Sequence, residues 1–466
     1  MQAAWIDAWR ACAIAADVAL ATRASPQANR LRSERRLAEF LAWTGSHSVF
    51  YRAHWPKGDA AVPRLEELPI VRKAELMADF DAWVTDPALG RSAVRGFVSD
   101  PGQIGEACLG RYVVWESSGS TGEPGLFVQD AAAMAVNDAL ESWRRPLLRP
   151  PSGLDPWGLG ERIAWVGATG GHFAGTVSVE RLRRLNPLLA MRLRSISFLQ
   201  PIAALVAQLH AFAPAVISTY PSAAVLLAEE RLAGRLKLAP REIWTAGECL
   251  SAAARRFVQE AFECQVADSY GASEFLSLAF ECRRGRLHLN SDWAVLESVD
   301  AYGHAVAPGQ PGATTLLTNL ANRVQPLVRY DLGDRVTLTD LACACGSSMP
   351  AIEVDGRDDD TLCFDTGHGS RSVKVLPLAI STVLEEDAGL FDFQLVQQGP
   401  HELLLRTGLH GEAAQLALSK ASSVLAAFLA RQGAREVHIE CHAQETARCG
   451  RSGKTMRVVR DQARVG

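Results

Sequence analysis

The sequence predicts an α/β protein: a large amino-terminal domain of mixed sheets covered by helices, followed by a small α+β domain. Three observations carry this. From Tyr112 to about Val336, short apolar runs at 113–115, 163–166, 215–218 and 242–246 alternate with Ala/Leu-rich helical stretches such as 202–211 and 222–233. After Asp334 the texture changes to a Cys/Gly/Ser loop at 343–348 and a charged knot at 355–360, which places a boundary between residues 1–356 and 357–466. The length of 466 residues is also enough for roughly two or three folding units with ample core.

Taken in order, residues 1–100 read as a helical packing segment. Trp5, Trp9, Cys12 and Ala13 recur at helical spacing, and 31–43 alternates Arg/Glu with Leu, Ala and Phe. Beyond the boundary come a helix over 376–386, strands over 391–396 and 402–406, a long amphipathic helix over 412–431 and a strand over 436–441.

Composition narrows the function. With 48% hydrophobic and 21% charged residues the chain is neither disordered, collagenous nor a coiled coil. A formal charge of -4 lacks the basic field that nucleic-acid binding needs. The apolar stretch 11–22 is broken by Asp17 and preceded by Asp7, unlike a secretory signal, and no run approaches the roughly 20 apolar residues of a membrane span. Ten cysteines in so long a chain are too sparse for a disulfide framework. A cytoplasmic protein is expected.

Four stretches carry chemistry. Ser117-Ser118-Gly119-Ser120-Thr121-Gly122-Glu123-Pro124 follows a strand and offers backbone N–H groups and hydroxyls to an anion; it would serve equally as a flexible turn, and no Gly-Lys-Ser/Thr makes it a Walker loop. Asp268-Ser269-Tyr270-Gly271-Ala272-Ser273-Glu274 sets a carboxylate, hydroxyls and an aromatic ring around glycine, a set able to stack on a base and hold a divalent cation through Glu274. In Arg329-Tyr330-Asp331-Leu332-Gly333-Asp334 an acidic residue at a strand end suits ribose hydroxyls, or the segment closes a hairpin through an Asp-Gly turn. Near the carboxyl end, Gly450-Arg451-Ser452-Gly453-Lys454-Thr455 presents a lysine between small residues, suited to an anionic centre or to a solvated basic tail.

In this order the four stretches resemble the adenylate-forming superfamily, and within it the phenylacetate-CoA ligase-like branch. The likeness covers nearly the whole chain. Phe50-Tyr51-Arg52, the Leu68-Pro69 segment ahead of Lys73, Ala246-Gly247-Glu248, Cys343-Ala344-Cys345-Gly346 and Gly356-Arg357-Asp358-Asp359 add to it. The resemblance implies ATP-dependent carboxylate activation with a mobile carboxyl-terminal domain carrying the catalytic lysine. A carboxylate attacks the α-phosphorus, pyrophosphate leaves, and a thiol takes the acyl group from the adenylate. It implies that Ser117, Ser120, Thr121 and Gly122 cradle the phosphates. Ala246, Gly247 and Glu248 would line the adenine pocket with Ser269, Tyr270 and Gly271, the tyrosine stacking on the base. Ser273 would touch the α-phosphate and Glu274 the Mg2+. Asp331 would bind the ribose, assisted by Arg357, and Lys454 would bridge carboxylate and phosphate oxygens.

The chain departs from the family in two places. The phosphate loop lacks a lysine after its proline, and the stretch 363–375 differs from the shorter Arg-Gly-Val-Asn segment of phenylacetate-CoA ligases, which leaves coenzyme A and the phosphopantetheine of an acyl carrier protein both open as acceptor. The acyl pocket is expected among Gly170, Gly171, His172, Phe173, Tyr220, Pro221 and Ala272, where a glycine-rich floor and aromatic walls suit a flat aromatic acid. His172 would contact the acid or serve as a structural residue. An amide-forming or adenylate-only ligase and a degenerate ATP-binding protein are the competing functions.

Cys282 and His288 flank a short basic turn, with Cys343 and Cys345 downstream. Together they form an N/S set suited to a structural Zn2+, although their spacings are not those of a standard finger; the alternatives are a buried thiol and a surface loop.

Overall fold

Helices Ala8–Arg23, Pro26–His47 and Val49–His54 open the chain as their spacing predicts. Ser25 caps the second, its side chain accepting from the Ala28 N–H, with Pro26 in the first turn. In the computed structural model the residues described are 8–56, 63–117, 124–145, 161–198, 200–339, 341–357, 362–365, 372–375, 377–434, 436–444 and 457–460.

The strands follow in chain order. β1 (Val113–Glu116) and β2 (Leu126–Gln129) form an antiparallel hairpin. β3 (Ile163–Gly167), β4 (Leu193–Ser197), β5 (Val216–Thr219), β6 (Glu242–Ala246) and β7 (Gln265–Ala272) are joined through helices and pair in parallel. β8 (Phe275–Glu281) and β9 (Leu287–Leu289) extend the same sheet antiparallel. β10 (Ala294–Val299), β11 (Thr314–Asn319) and β12 (Leu327–Asp331) make a separate antiparallel sheet, after which β13 (Asp334–Thr339) and β14 (Ala351–Arg357) return to the large one. The large sheet thus has nine strands in the order β13-β14-β9-β8-β7-β6-β5-β3-β4.

The helix–strand alternation expected as far as Val336 therefore ends at β7, the last parallel strand, and from Phe275 to Arg357 the strands pair antiparallel. Apolar runs in an antiparallel sheet buried on both faces resemble those of a parallel sheet, so period alone did not separate the two. The segment 331–334 is not a hairpin turn either: it carries the chain from the three-stranded sheet to the nine-stranded one.

Three large cores result. One lies between the amino-terminal helices and the antiparallel strands and includes Phe40, Tyr51, Trp83, Leu317 and Val336. The second surrounds the parallel strands and the helices Ile202–Phe212, Pro221–Leu232 and Ala252–Phe262. The third, from Leu362 to Val458, belongs to the smaller carboxyl-terminal unit. There, β15 (Leu362–Asp365) pairs with β16 (Ser372–Val375), and β17 (Gln394–Gly399), β18 (Glu402–Thr407), β19 (His438–Ala443) and β20 (Val458–Arg460) form a mixed sheet. Helix Gly411–Arg431 is long and apolar enough to cross a membrane, but Leu418, Ala421, Leu425 and Leu429 are buried in this third core.

The helix expected over 376–386 is helix Pro377–Thr382 running into a π-helical turn, Val383–Asp387. The strand expected from Phe391 begins at Gln394, because Phe391 packs instead on Phe257 of the large unit, ring centroids 5.0 Å apart.

Candidate functional site

The parallel register sets the carboxyl ends of neighbouring strands side by side: Val166 opposite Thr219, Thr219 opposite Thr245, and Ala246 opposite Ser269. Loops leaving such ends form the usual ligand crevice of an α/β sheet. Residues 168–173, 220–222, 246–248 and 269–274 all leave this edge, so one sheet gathers segments that are far apart in sequence.

At the end of β7 the chain turns sharply into β8. A Cβ on Gly271 would lie 1.8 Å from the Leu276 carbonyl oxygen, so only glycine fits. The Ser273 carbonyl accepts from the Trp115 indole N–H at 2.9 Å, and the Glu274 carbonyl from the Asn319 side chain at 2.9 Å. The turn is thereby tied both to the β1 hairpin and to β11.

The side chains here hold one another. The Tyr270 hydroxyl donates to Asp334 Oδ2 at 2.6 Å, and the Tyr330 hydroxyl to Glu274 Oε1 at 2.7 Å. Asp331 ends β12 and accepts from the Thr314 hydroxyl at 2.6 Å and the Gly333 N–H at 3.0 Å, with Arg72 Nε 3.8 Å from its other oxygen. Sequence reasoning assigned only Asp331 in this segment. Tyr330 and Asp334 stood in the same quoted stretch, and their roles become visible only when β12 and β13 are brought beside the β7 turn. Thr314 carried no signal.

Ser269 lines a small cavity together with polar groups of Glu141, Arg145, Asp268, Ser277 and Glu281 and with apolar Leu140 and Phe280. The Thr245 hydroxyl donates to Asp268 Oδ1 at 2.7 Å. Burial pushes the Asp268 carboxyl up to about 7, the Thr245 hydroxyl opposes this, and the neighbouring Glu281 charge adds to it.

Turn 246–248 is placed by Glu248, whose carboxylate accepts from the Ser222 N–H at 3.0 Å, at the start of helix Pro221–Leu232. Gly247 has φ 82°. Tyr220 lies between Trp165 and Phe198, meeting each edge to face with centroids 5.5 and 5.8 Å apart. Its phenol is pushed up by burial and by the charge of Glu248. A Cβ on Gly171 would lie 2.9 Å from the Phe173 ring. Pro221 opens the helix, Ala272 ends β7, and Gly170 has open space around its Cα.

His172 is 1% exposed with its ring 5.4 Å from that of Phe97, and its carbonyl accepts from the Glu116 N–H at 2.8 Å. Burial lowers its pKa, so the imidazole is neutral. Ser117 bonds Gly125 twice at 2.8 Å, main chain to main chain and hydroxyl to N–H, and so pins both ends of the phosphate-loop candidate. Ser120, Thr121, Gly122 and Lys454 lie outside the described residues. Arg357 ends β14.

A second cluster lies along the antiparallel half. Cys282 follows β8, His288 is in β9, and Cys343 and Cys345 are on the loop between β13 and β14; their ligand atoms all lie within 4.8 Å of one another. The Cys282 and Cys343 sulfurs are 3.9 Å apart, and Cys345 Sγ is 3.4 Å from His288 Nε2. His288 Nδ1 meets the Met349 carbonyl at 2.7 Å, which places the proton on Nδ1 and the lone pair of Nε2 toward the sulfurs. The N–H groups of Arg284 and Ser347 point at Cys282 and Cys345 sulfur at 3.4 and 3.3 Å, bonds that a thiolate strengthens. Every cysteine among the described residues is a free thiol. Three sulfurs and one imidazole facing one point fit a tetrahedral Zn2+ with no open position.

No family model matches the chain, and no curated protein does. Solved structures do. A 2-hydroxyisobutyryl-CoA ligase in the postadenylation state, bound to its acyl-AMP, matches with a TM-score of 0.67 and 21% identity over 95% of this chain and 91% of that one. The same ligase in the thioesterification state, with CoA, matches at 0.51 and 23% identity, covering 94% and 91%. Fatty acyl-adenylate ligases from E. coli and L. pneumophila match at 0.52 and 16% over 74% and 68%. The chain has the fold of these adenylate-forming ligases.

Proposed function

We propose that the chain is an AMP-forming acid–thiol ligase. The observation that carries this is the meeting of Tyr270, Glu274 and Asp331 at the ends of β7 and β12, with Tyr330, Asp334 and Thr314 fixing them. An oriented phenol can stack on adenine, a strand-end carboxylate can take the ribose hydroxyls, and a carboxylate at the turn can hold the Mg2+ that neutralises phosphate charge. Ser273, Ser117, Ser120, Thr121 and Gly122 serve the phosphates, and Ala246, Gly247, Glu248, Ser269 and Gly271 frame the base. Arg357 assists Asp331 where residues 357–466 join the larger unit.

A carboxylate oxygen of the acid forms a bond to the α-phosphorus as the bond to pyrophosphate breaks. Lys454 holds the oxygens of both as charge accumulates. A thiolate then attacks the acyl carbon and AMP leaves. Trp165, Phe198 and Tyr220 support a small, flat acid, so an aromatic acid is the favoured substrate. The acceptor is coenzyme A or a carrier-protein phosphopantetheine. Zn2+ at Cys282, His288, Cys343 and Cys345 braces the fold without taking part, and its thiolates suit a reducing cytoplasm.

The test is acid-dependent pyrophosphate exchange over benzoates, phenylacetates and 2-hydroxyisobutyrate, the acid of the similar ligase. Exchange with one of these, lowered on the order of 10²–10³-fold in Lys454→Ala, is the expected result. Exchange with none of them, or normal exchange in the variant, overturns the reading; product release that depends on coenzyme A separates the acceptors.

A further inference from the structure

Glu385 sits in the π-helical turn Val383–Asp387 of the smaller unit, 2% exposed, and neither the acid nor the nucleotide chemistry assigned above uses it. A buried carboxylate is costly unless paired and hydrogen-bonded. Both of its oxygens are engaged, on opposite sides.

One oxygen accepts a hydrogen bond from the hydroxyl of Ser251, a 4%-exposed residue of the larger unit. Ser251 caps helix Ala252–Phe262, its oxygen accepting from the Ala254 N–H at 3.0 Å, so donor and acceptor capacities are both used. In sequence it follows closely on Ala246-Gly247-Glu248. The other oxygen pairs with Arg457, whose guanidinium also donates to the Phe391 carbonyl at 2.5 Å and lies 4.2 Å over the Phe393 ring. Arg457 leads into β20 and stands three residues after Lys454. Beside this relay the Phe391 ring stacks on Phe257 of helix Ala252–Phe262.

We propose that Ser251–Glu385–Arg457 is a latch that holds the smaller unit against helix Ala252–Phe262 of the larger one for the adenylation half-reaction and must open for acyl transfer. Glu385 is a positioning residue: it touches neither substrate and acts through the segments on either side of it. The overall arrangement of the chain is accordingly more like the postadenylation-state ligase, with TM-score 0.67, than its thioesterification-state structure, with 0.51. The proposal rests on the reading of the site as an adenylate-forming centre, and its test includes a measurement that needs no chemistry.

The full-length protein is compared with Ser251→Ala, Ser251→Thr and Glu385→Gln. Small-angle X-ray scattering without substrates reads the arrangement of the two units. Pyrophosphate exchange reads adenylation, and transfer from separately prepared acyl adenylate to a thiol reads the second step. The expected result is a larger radius of gyration for Ser251→Ala and Glu385→Gln, with exchange lowered roughly tenfold or more while transfer from the preformed adenylate is kept. Ser251→Thr keeps the hydroxyl and restores the wild-type values. Unchanged scattering in both variants, or equal slowing of both half-reactions, overturns the latch. A wild type that exchanges pyrophosphate with no acid removes the functional reading, while the scattering comparison still decides whether the contact holds the units together.

Discussion

Two clusters flank the antiparallel half of the large sheet, and they are built on opposite principles. Around the starts of β8 and β13 every carboxylate has a hydroxyl within hydrogen-bond reach: Asp334 from Tyr270 at 2.6 Å, Glu274 from Tyr330 at 2.7 Å, Asp331 from Thr314 at 2.6 Å. At the other end of β8, Cys345 Sγ lies 3.4 Å from His288 Nε2 and the Cys282 and Cys343 sulfurs 3.9 Å apart, contacts between weak donors and acceptors. The first set is held together by its own residues. The second is a set of weak mutual contacts that suits the proposed cation. A hydrogen-bonded set and a set of candidate metal ligands sit at the two ends of one strand.

Removing the metal tests the contrast hardest. Chelation, or Cys343→Ser, should release about one Zn2+ per chain and lower the thermal midpoint by several degrees, since binding energy at a closed site is folding energy. Metal-free wild type of full stability would erase the difference. Next comes Asp268 of β7, with Glu281 and Arg255 as its charged neighbours. Folding raises its pKa from 3.8 to about 7, so within that window the folded state keeps a proton the unfolded state has lost. Stability falls as pH rises through the window and the loss is complete above it. Asp268→Asn removes the decline, and its midpoint should gain on wild type between about pH 4 and pH 8 by an amount worth on the order of 1 kcal/mol or more. A pH-independent gap would show that the carboxyl is ionised throughout.

Within the hydroxyl–carboxylate set, Asp331→Ala should raise the KM for ATP about 10–100-fold, because it removes charge-assisted bonds made alike in ground and transition states, and should leave transfer from preformed adenylate largely unchanged. Tyr270→Phe keeps the ring but leaves Asp334 without that donor, for a loss of about 1–2 kcal/mol in nucleotide binding measured by titration. The smallest effect belongs to Arg72→Ala. The 3.8 Å pair with Asp331 involves an arginine side chain 66% exposed, and KM for ATP should move by no more than about threefold, the range of an exposed ion pair. A larger shift would make Arg72 part of the site.

Much of this was legible beforehand. The runs at 242–246 and 402–406 match β6 and β18 closely, because alternation and buried β-branched or leucine runs are strong local signals. Asp331 and Glu274 were singled out through the family resemblance, and the four metal-ligand candidates by residue type, since their spacings are not those of a standard finger. What stayed hidden depends on contacts distant in sequence. Tyr270 meets Asp334 across 64 residues, Tyr330 meets Glu274 across 56, and Ser251 meets Glu385 across 134. Phe391 read as the start of a strand because an aromatic between apolar residues fits that pattern; packing on Phe257 outweighed local propensity.

The amino-terminal helices reach further than their own core. Trp83 donates its indole N–H to the Pro326 carbonyl at 2.5 Å, and Tyr51 gives its hydroxyl to the same oxygen at 3.2 Å while accepting from the Val328 N–H at 3.1 Å. These bonds span 243, 275 and 277 residues and anchor the start of β12, the strand that ends in Asp331. During synthesis the first helices therefore wait for their partners until most of the chain has emerged, at roughly 5–20 residues per second. Their apolar faces stay open for that time, so the newly made protein should depend on chaperones that shield such faces. Shortening the amino terminus should show itself first as poor yield, before any change in the chemistry at the far end of β12.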